Sequence, residues 1–390
     1  MVEVKKIAVV GAGLMGAGIA QVSIMAGYDV VLVDIKDEYV DKGYASVKGG
    51  IEKLGAKGKL GEGVTADAVI AKCSKSIDLA SAVKDVDLVV EAVIEKMEIK
   101  KDVAKTVIEN GPSHIIFASN TSTMSITEIG KDTGAPDRVC GLHFFNPVPL
   151  MRLVEVIKSD NTSDETMDVV AGVAAKLPCL KGKRYIAKVL KDRPGFIVNR
   201  LNAPAQIYMN WVFDQMEEKG IKPEQIDADG KIMPMGPCEL ADYVGIDTMY
   251  HIANYYAETL SPDFKPGKVI TKMTEENKLG RKTGQGFYDW SAGRPKIDKS
   301  NPAGLFDINN TMAILLNEGC RILEEGICTG FKTIDDANMA GMNTPGPFGA
   351  GKKNYEAWAK RLDDLADETG KEYFRPCELM KSGGFVKMRK

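Results

Sequence analysis

Three histidines occur in the 390-residue chain: His114, His143 and His251. The imidazole is the one side chain whose ordinary charge change falls near neutral pH, so these are the first candidates for proton transfer. His143 has the most suggestive setting. Gly141-Leu142-His143-Phe144-Phe145-Asn146-Pro147 places it near the end of a predicted strand, and ligands of open α/β sheets bind beyond the carboxyl ends of strands. Glu155 lies in a second predicted strand, after the turn Asn146-Pro147-Val148-Pro149. Such a turn can bring Glu155 beside His143, where a carboxylate would orient the ring and stabilise its protonated form. His114 follows Gly111-Pro112-Ser113 and reads as a loop residue, and His251 lies in a helical stretch where packing or exposure is the default. Ser119-Asn120-Thr121-Ser122-Thr123 follows another predicted strand at the same face. It reads either as a polar turn or helix cap, or as a set of hydroxyl donors to a ligand. Asn199 opens a helical half and could reach back toward a ligand between domains. No metalloprotease, serine-hydrolase or phosphate-loop pattern is present.

These side chains need a scaffold, and residues 6–34 describe one. Lys6 to Val10 is a short apolar run suited to a buried parallel strand. Gly11-Ala12-Gly13-Leu14-Met15-Gly16 follows, then a helical stretch to about Ala26, a β-rich run from Tyr28 to Val33, and Asp34. This is the dinucleotide-binding fingerprint in its proper context. Gly11 permits a tight turn, Gly13 lets a pyrophosphate approach the backbone, and Gly16 lets the helix pack close to the strands. The N–H groups at the start of the helix, around Leu14 and Met15, face the phosphates. Asp34 can accept hydrogen bonds from both ribose hydroxyls and would repel a 2′-phosphate, so NAD is expected rather than NADP.

Alternating strands and helices in the first half predict a mostly parallel sheet covered on both faces. Further strands are expected at 88–92, 115–119, 139–144 and 153–157, and a lysine-rich helix over 39–59. Past Asp192-Arg193-Pro194-Gly195 helical patterns dominate. Pro204 should kink the predicted helix 196–218 or mark its start. Polar residues 291–302 read as a linker. Met216-Glu217-Glu218-Lys219-Gly220-Ile221 resembles Leu323-Glu324-Glu325-Gly326-Ile327. Each is followed by Ile-Asp (Ile226-Asp227, Ile334-Asp335) and then by Met235-Gly236-Pro237 or Pro345-Gly346-Pro347. A duplicated helical unit is therefore expected. The predicted architecture is a Rossmann-like α/β N-terminal domain over 1–190, followed by an all-α region of two related helical units, 191–297 and 298–390.

Composition narrows the class. A net charge of −3 gives no reason to expect nucleic acid or an anionic membrane as partner. No apolar run approaches the ~20 residues that span a bilayer. Seven cysteines without a CxxC pair argue for reduced thiols and a cytoplasmic location rather than a disulfide framework or a zinc site.

Taken together these segments resemble the L-3-hydroxyacyl-CoA dehydrogenases. Matching stretches run from Val9 to Ala20, Phe117 to Thr123, Gly141 to Ile157, Pro194 to Leu201, Met235 to Asp247 and Lys278 to Tyr288, in family order. The resemblance implies NAD-dependent, reversible oxidation of (3S)-3-hydroxyacyl-CoA to 3-oxoacyl-CoA. It implies that His143 is the catalytic histidine, Glu155 its carboxylate partner, Ser122 the serine on the C3 oxygen and Asn199 the active-site asparagine. Asp34, Glu95, Lys100, Ser122 and Lys282 match cofactor contacts, and Lys53, Lys57 and Lys59 are the nearest candidates for CoA. Residues 180–190 look longer than the family usually shows. The tail past Asn301 resembles the longer family forms, including those fused to an enoyl-CoA hydratase, and no hydratase segment is present. A homodimer, or a monomer whose extra unit replaces the partner, is implied, and a separate enoyl-CoA hydratase is a possible partner. Competing readings are a dehydrogenase of free hydroxy or sugar acids, and a non-catalytic NAD-binding scaffold.

Overall fold

The computed structural model describes residues 3–389. Eight strands form one sheet in the order β3-β2-β1-β4-β5-β6-β7-β8. They are β1 (Lys6–Val10), β2 (Asp29–Val33), β3 (Cys73–Ser76), β4 (Leu88–Glu91), β5 (Ile116–Ser119), β6 (Val139–Phe144), β7 (Leu153–Ile157) and β8 (Tyr185–Val189). All neighbours pair in parallel except β6 and β7, which run antiparallel. The central strands β1, β4 and β5 are apolar and almost wholly buried, as expected of parallel strands with both faces covered.

Two of these strands escaped the sequence reading. β3 reads Cys-Ser-Lys-Ser, with two exposed positions at one edge of the sheet, so no apolar signal marks it. β8 lies within the 180–190 stretch that looked long in sequence and pairs in parallel with β7 at the edge of the sheet. Predicted helix 39–59 is observed as Asp37–Ala56. Pro204 caps the helix Ala205–Glu218, separating it from the short helix Val198–Asn202. Proline lacks the N–H that a helix interior needs, so a break there is expected.

Two compact units emerge, and their boundaries differ from the three-part division read from the sequence. One comprises residues 1–198, 326–329 and 333–345, and the other 199–325, 330–332 and 346–390. Within the first unit, Leu190 N–H donates to Ile327 O at 2.7 Å. A side chain at Gly341 would come within 2.7 Å of Leu153, so this glycine permits close packing on β7. These contacts draw part of the C-terminal segment onto the β7–β8 end of the sheet.

In the second unit, part of the element order of residues 205–275 recurs over residues 308–382, in line with the expected repeat. Ala205–Glu218 corresponds to Ile308–Glu324, the turn Pro262–Phe264 to Glu372–Phe374, and Lys268–Glu275 to Glu378–Ser382. The repeats secure equivalent turns with different residues. Asp214 accepts from Lys268 N–H (3.1 Å) and Val269 N–H (2.9 Å). Asn317 instead donates to Phe374 O and Arg375 O and accepts from Cys377 N–H at 2.8 Å. Where the turns meet, Tyr373 N–H donates to Asp263 (2.8 Å), and the Phe264 and Tyr373 rings pack edge to face at 4.9 Å.

Candidate active site

β6 and β7 pair so that Gly141 faces Ile157 and His143 faces Glu155. Side chains directly opposite in an antiparallel pair lie on one face, close enough to touch. His143 Nδ1 and Glu155 Oε2 are 2.7 Å apart. His143 is 5 % exposed and Glu155 0 %. An isolated buried carboxylate is unfavourable, so its remaining oxygen needs donors. Glu155 Oε1 accepts from Ile197 N–H at 3.1 Å and Val198 N–H at 3.0 Å. The carboxylate therefore fixes both the histidine ring and the segment that leads to Asn199. With Oε2 accepting from Nδ1–H, Nε2 keeps its lone pair for a proton. The Phe145 and Phe196 rings lie 4.6 and 5.8 Å from the imidazole, limiting water around it.

Ser122 lies in the half-buried loop after β5. Its N–H donates to Glu95 Oε1 at 3.1 Å, and Thr121 Oγ1 binds the same oxygen. Lys100 Nζ lies 3.0 Å from the other Glu95 oxygen and 2.8 Å from Glu91. Burial pushes the Glu95 carboxyl upward, but Lys100 and the hydrogen bonds from Thr121 and Ser122 outweigh it and hold it below the usual carboxylate range. Lys100 is only 1 % exposed, so it shapes this site from within through Glu95. Asn120, next to this loop, accepts from Phe144 N–H at 2.9 Å and ties it to the strand of His143.

Where the chain leaves β1, Gly11 adopts φ +100°, and a side chain there would collide with the Ala92 carbonyl. Around Gly13, by contrast, a Cβ would meet nothing within 4 Å. That open space lies where a pyrophosphate must approach the backbone. Leu14 and Met15 begin the helix Leu14–Met25, whose first N–H groups have no side-chain cap. Asp34 accepts from Ala12 N–H and Ile35 N–H, both at 2.7 Å, at the end of β2. A cavity of about 370 Å³ lies here, lined by Gly13, Asp34, Ile35, Tyr39, Ile94 and Val103 among others. Apolar walls, a carboxylate and bare backbone suit the adenosine half of a dinucleotide.

The other candidates lie apart from this constellation in the sequence. Lys282 pairs with Asp247 in the helical unit. Asn199 begins the same unit, in the second position of the helix Val198–Asn202. Lys53, Lys57 and Lys59 are all exposed, at and just past the end of the helix Asp37–Ala56. His114 pairs with Asp87 at 3.0 Å, as a partly exposed structural residue. The sequence reading missed Glu91, Asn120, Phe145 and Phe196. Glu91 carried a faint signal: an acid ending an apolar strand, nine residues before Lys100.

Residues 6–185 match the 3-hydroxyacyl-CoA dehydrogenase NAD binding domain, and residues 195–290 match the C-terminal domain of the same family. Pig mitochondrial hydroxyacyl-coenzyme A dehydrogenase is 41 % identical over 297 residues, covering 74 % of this chain and 91 % of that protein. A probable 3-hydroxybutyryl-CoA dehydrogenase of Deinococcus radiodurans is 40 % identical over 289 residues, 73 % of this chain and all of that one. The crystal structure of 3-hydroxybutyryl-CoA dehydrogenase from Escherichia coli K12 superposes with a TM-score of 0.86 at 27 % identity, covering 99 % of both chains. The resemblance read from the motifs thus extends over both domains, and the chain belongs to the 3-hydroxyacyl-CoA dehydrogenase family of NAD-dependent oxidoreductases.

Proposed function

We propose that His143 is the general base in oxidation of (3S)-3-hydroxyacyl-CoA, with Glu155 as its orienting carboxylate. The observation that carries this reading is the buried 2.7 Å contact between His143 Nδ1 and Glu155. Nε2 takes the proton of the 3-hydroxyl, and Glu155 stabilises the imidazolium that results. In the reverse direction the same nitrogen returns the proton to the C3 oxygen. Ser122 hydrogen-bonds that oxygen, and Asn199 holds the acyl portion. NAD, when bound, supplies the hydride acceptor at C4 of its nicotinamide. Glu95 holds the Ser122 loop, and Lys282 contributes to cofactor binding. Lys53, Lys57 and Lys59 offer exposed charge to the CoA phosphates.

The same reading makes the chain a monomer in which the second helical repeat covers the first, supported by the Asp263–Tyr373 and Phe264–Tyr373 contacts. A reducing, cytoplasmic location fits seven cysteines without a CxxC pair, and an enoyl-CoA hydratase is the class of enzyme that supplies the substrate. The decisive assay follows NADH oxidation with acetoacetyl-CoA, longer 3-oxoacyl-CoAs and free acetoacetate. Turnover of the thioesters and little of the free acid is expected. Faster turnover of free acetoacetate would sink the assignment to CoA esters.

A further inference from the structure

Asn199 stands between two carboxylate anchors along the chain. Just before it, Ile197 and Val198 donate their N–H groups to Glu155 within the sheet unit. Just after it, Arg200 is held within the helical unit. The Arg200 side chain is 3 % exposed, its Nε binds Glu318, and its Nη2 lies 2.7 Å from Glu325. Glu318 is fully buried and belongs to the helix Ile308–Glu324 of the second repeat. It also accepts from Tyr373 Oη at 3.1 Å and Arg321 Nη1 at 3.1 Å. Arg321 in turn donates to the carbonyls of Tyr373 and Arg375, both at 2.9 Å. Burial alone would weaken the Arg200 charge, yet Glu318, Tyr373 and Glu325 hold its pKa above the ordinary value.

The two repeats differ at this point. Trp211 and Glu318 both lie six residues before the first glutamate of the matched pairs, Glu217-Glu218 and Glu324-Glu325. At the position where the second repeat supplies a carboxylate, the first supplies an indole. The short helix Val198–Asn202 has too few residues to hold its own orientation, and the buried Arg200 ion pairs are a charged anchor for it on the helical side.

We propose that Glu318 is a positioning residue for catalysis, setting the orientation of Asn199 through the Arg200 guanidinium. The inference rests on the proposed role of Asn199. It gives the second repeat a part in the reaction beyond covering an apolar face.

A double-substitution cycle in the full-length protein tests it. Steady-state rates with acetoacetyl-CoA and NADH are measured for Asn199→Ala, Glu318→Gln and the two combined. Glu318→Gln is expected to lower kcat at least tenfold while leaving the NADH dissociation constant within twofold. In the Asn199→Ala background the same change should cost less than a further twofold, because the residue it acts through is gone. If the two losses multiply, Glu318 does not act through Asn199 and the proposal fails while the role of Asn199 stands. If Asn199→Ala alone leaves turnover within twofold of the parent, the role of Asn199 fails and takes this inference with it. Glu318→Gln leaves a buried guanidinium short of charge and can lower expression, so Arg200→Met with Glu318→Met is the companion variant. It removes one charge of each sign. Thermal stability near the parent with kcat still depressed is expected. Recovery of both stability and kcat would reduce the pair to a structural role and overturn the proposal.

Discussion

The carboxyl end of the sheet carries two regions built on opposite plans. At β1 and β2 the nucleotide region is made by omission: Gly11 and Gly13 offer backbone and space, and among the described residues Asp34 is the one charged side chain lining the cavity. At β6 and β7 the region proposed for catalysis is made by crowding. His143 and Glu155 are buried, two phenyl rings flank the imidazole, and every oxygen of the carboxylate has a donor. On the proposed reading, the open region serves affinity and the region of fixed contacts serves the reacting geometry.

Substitutions can test that division, because damage in each region should register in a different constant. The largest effect is expected from His143→Gln. Turnover should fall by about 10²–10⁴, the usual contribution of a general base, while NADH binding measured by fluorescence titration stays within threefold. Turnover close to the parent would remove His143 from proton transfer.

Glu155→Gln comes next. It loses charge-assisted hydrogen bonds worth about 1.5–3 kcal/mol, which corresponds to roughly tenfold to hundredfold in kcat if the loss falls on the transition state. Cofactor affinity should again hold. A raised NADH dissociation constant with unchanged kcat would blur the two regions into one.

Gly13→Val is the mirror experiment. The free structure has room for the new side chain, so folding and thermal stability should be nearly unchanged. The isopropyl group then occupies the approach to the pyrophosphate, and the NADH dissociation constant should rise at least tenfold while kcat at saturating NADH stays within threefold. Unchanged affinity in an equilibrium titration would mean that the cofactor does not approach the backbone there.

The smallest effect is expected at Glu95, whose carboxyl is held below its ordinary range by Lys100 and by the Ser122 loop. A carboxyl lowered in the fold contributes stability that is complete above its unfolded pKa, about 4.3, and is lost as pH falls through the folded value. The Tm gap between parent and Glu95→Gln should therefore be constant from pH 7 to about pH 5.5 and narrow below about pH 4.3. A gap that widens in acid contradicts the sign.

How much of this could be read beforehand differs between the regions for a physical reason. The nucleotide region is nearly contiguous: strand, glycines, helix and acid follow one another within residues 6–34. Its geometry depends on local backbone freedom, which residue types encode directly. Glu155 was legible as a partner because one turn separates its strand from that of His143, and the antiparallel register turns twelve residues of separation into direct contact. The resemblance singles out Lys100, but not its burial between Glu91 and Glu95. Nothing in the residues themselves says that a lysine on a surface-like helix will be 1 % exposed. β3 was missed because Cys-Ser-Lys-Ser at the sheet edge leaves no apolar pattern; β8, Tyr-Ile-Ala-Lys-Val, does carry one, and lies in the 180–190 stretch whose length drew notice without a strand being assigned.

By itself the sequence determined the dinucleotide fold, the cofactor, the pairing of a histidine with an acid and the helical character of the C-terminal region, all of which rest on local patterns or short connections. Only the tertiary structure decided which donors satisfy Glu155, that Glu91 and Lys100 share a buried ion pair, and that Arg200 finds Glu318 across more than a hundred residues. Those choices depend on where desolvated charges meet, and chain distance carries no trace of that.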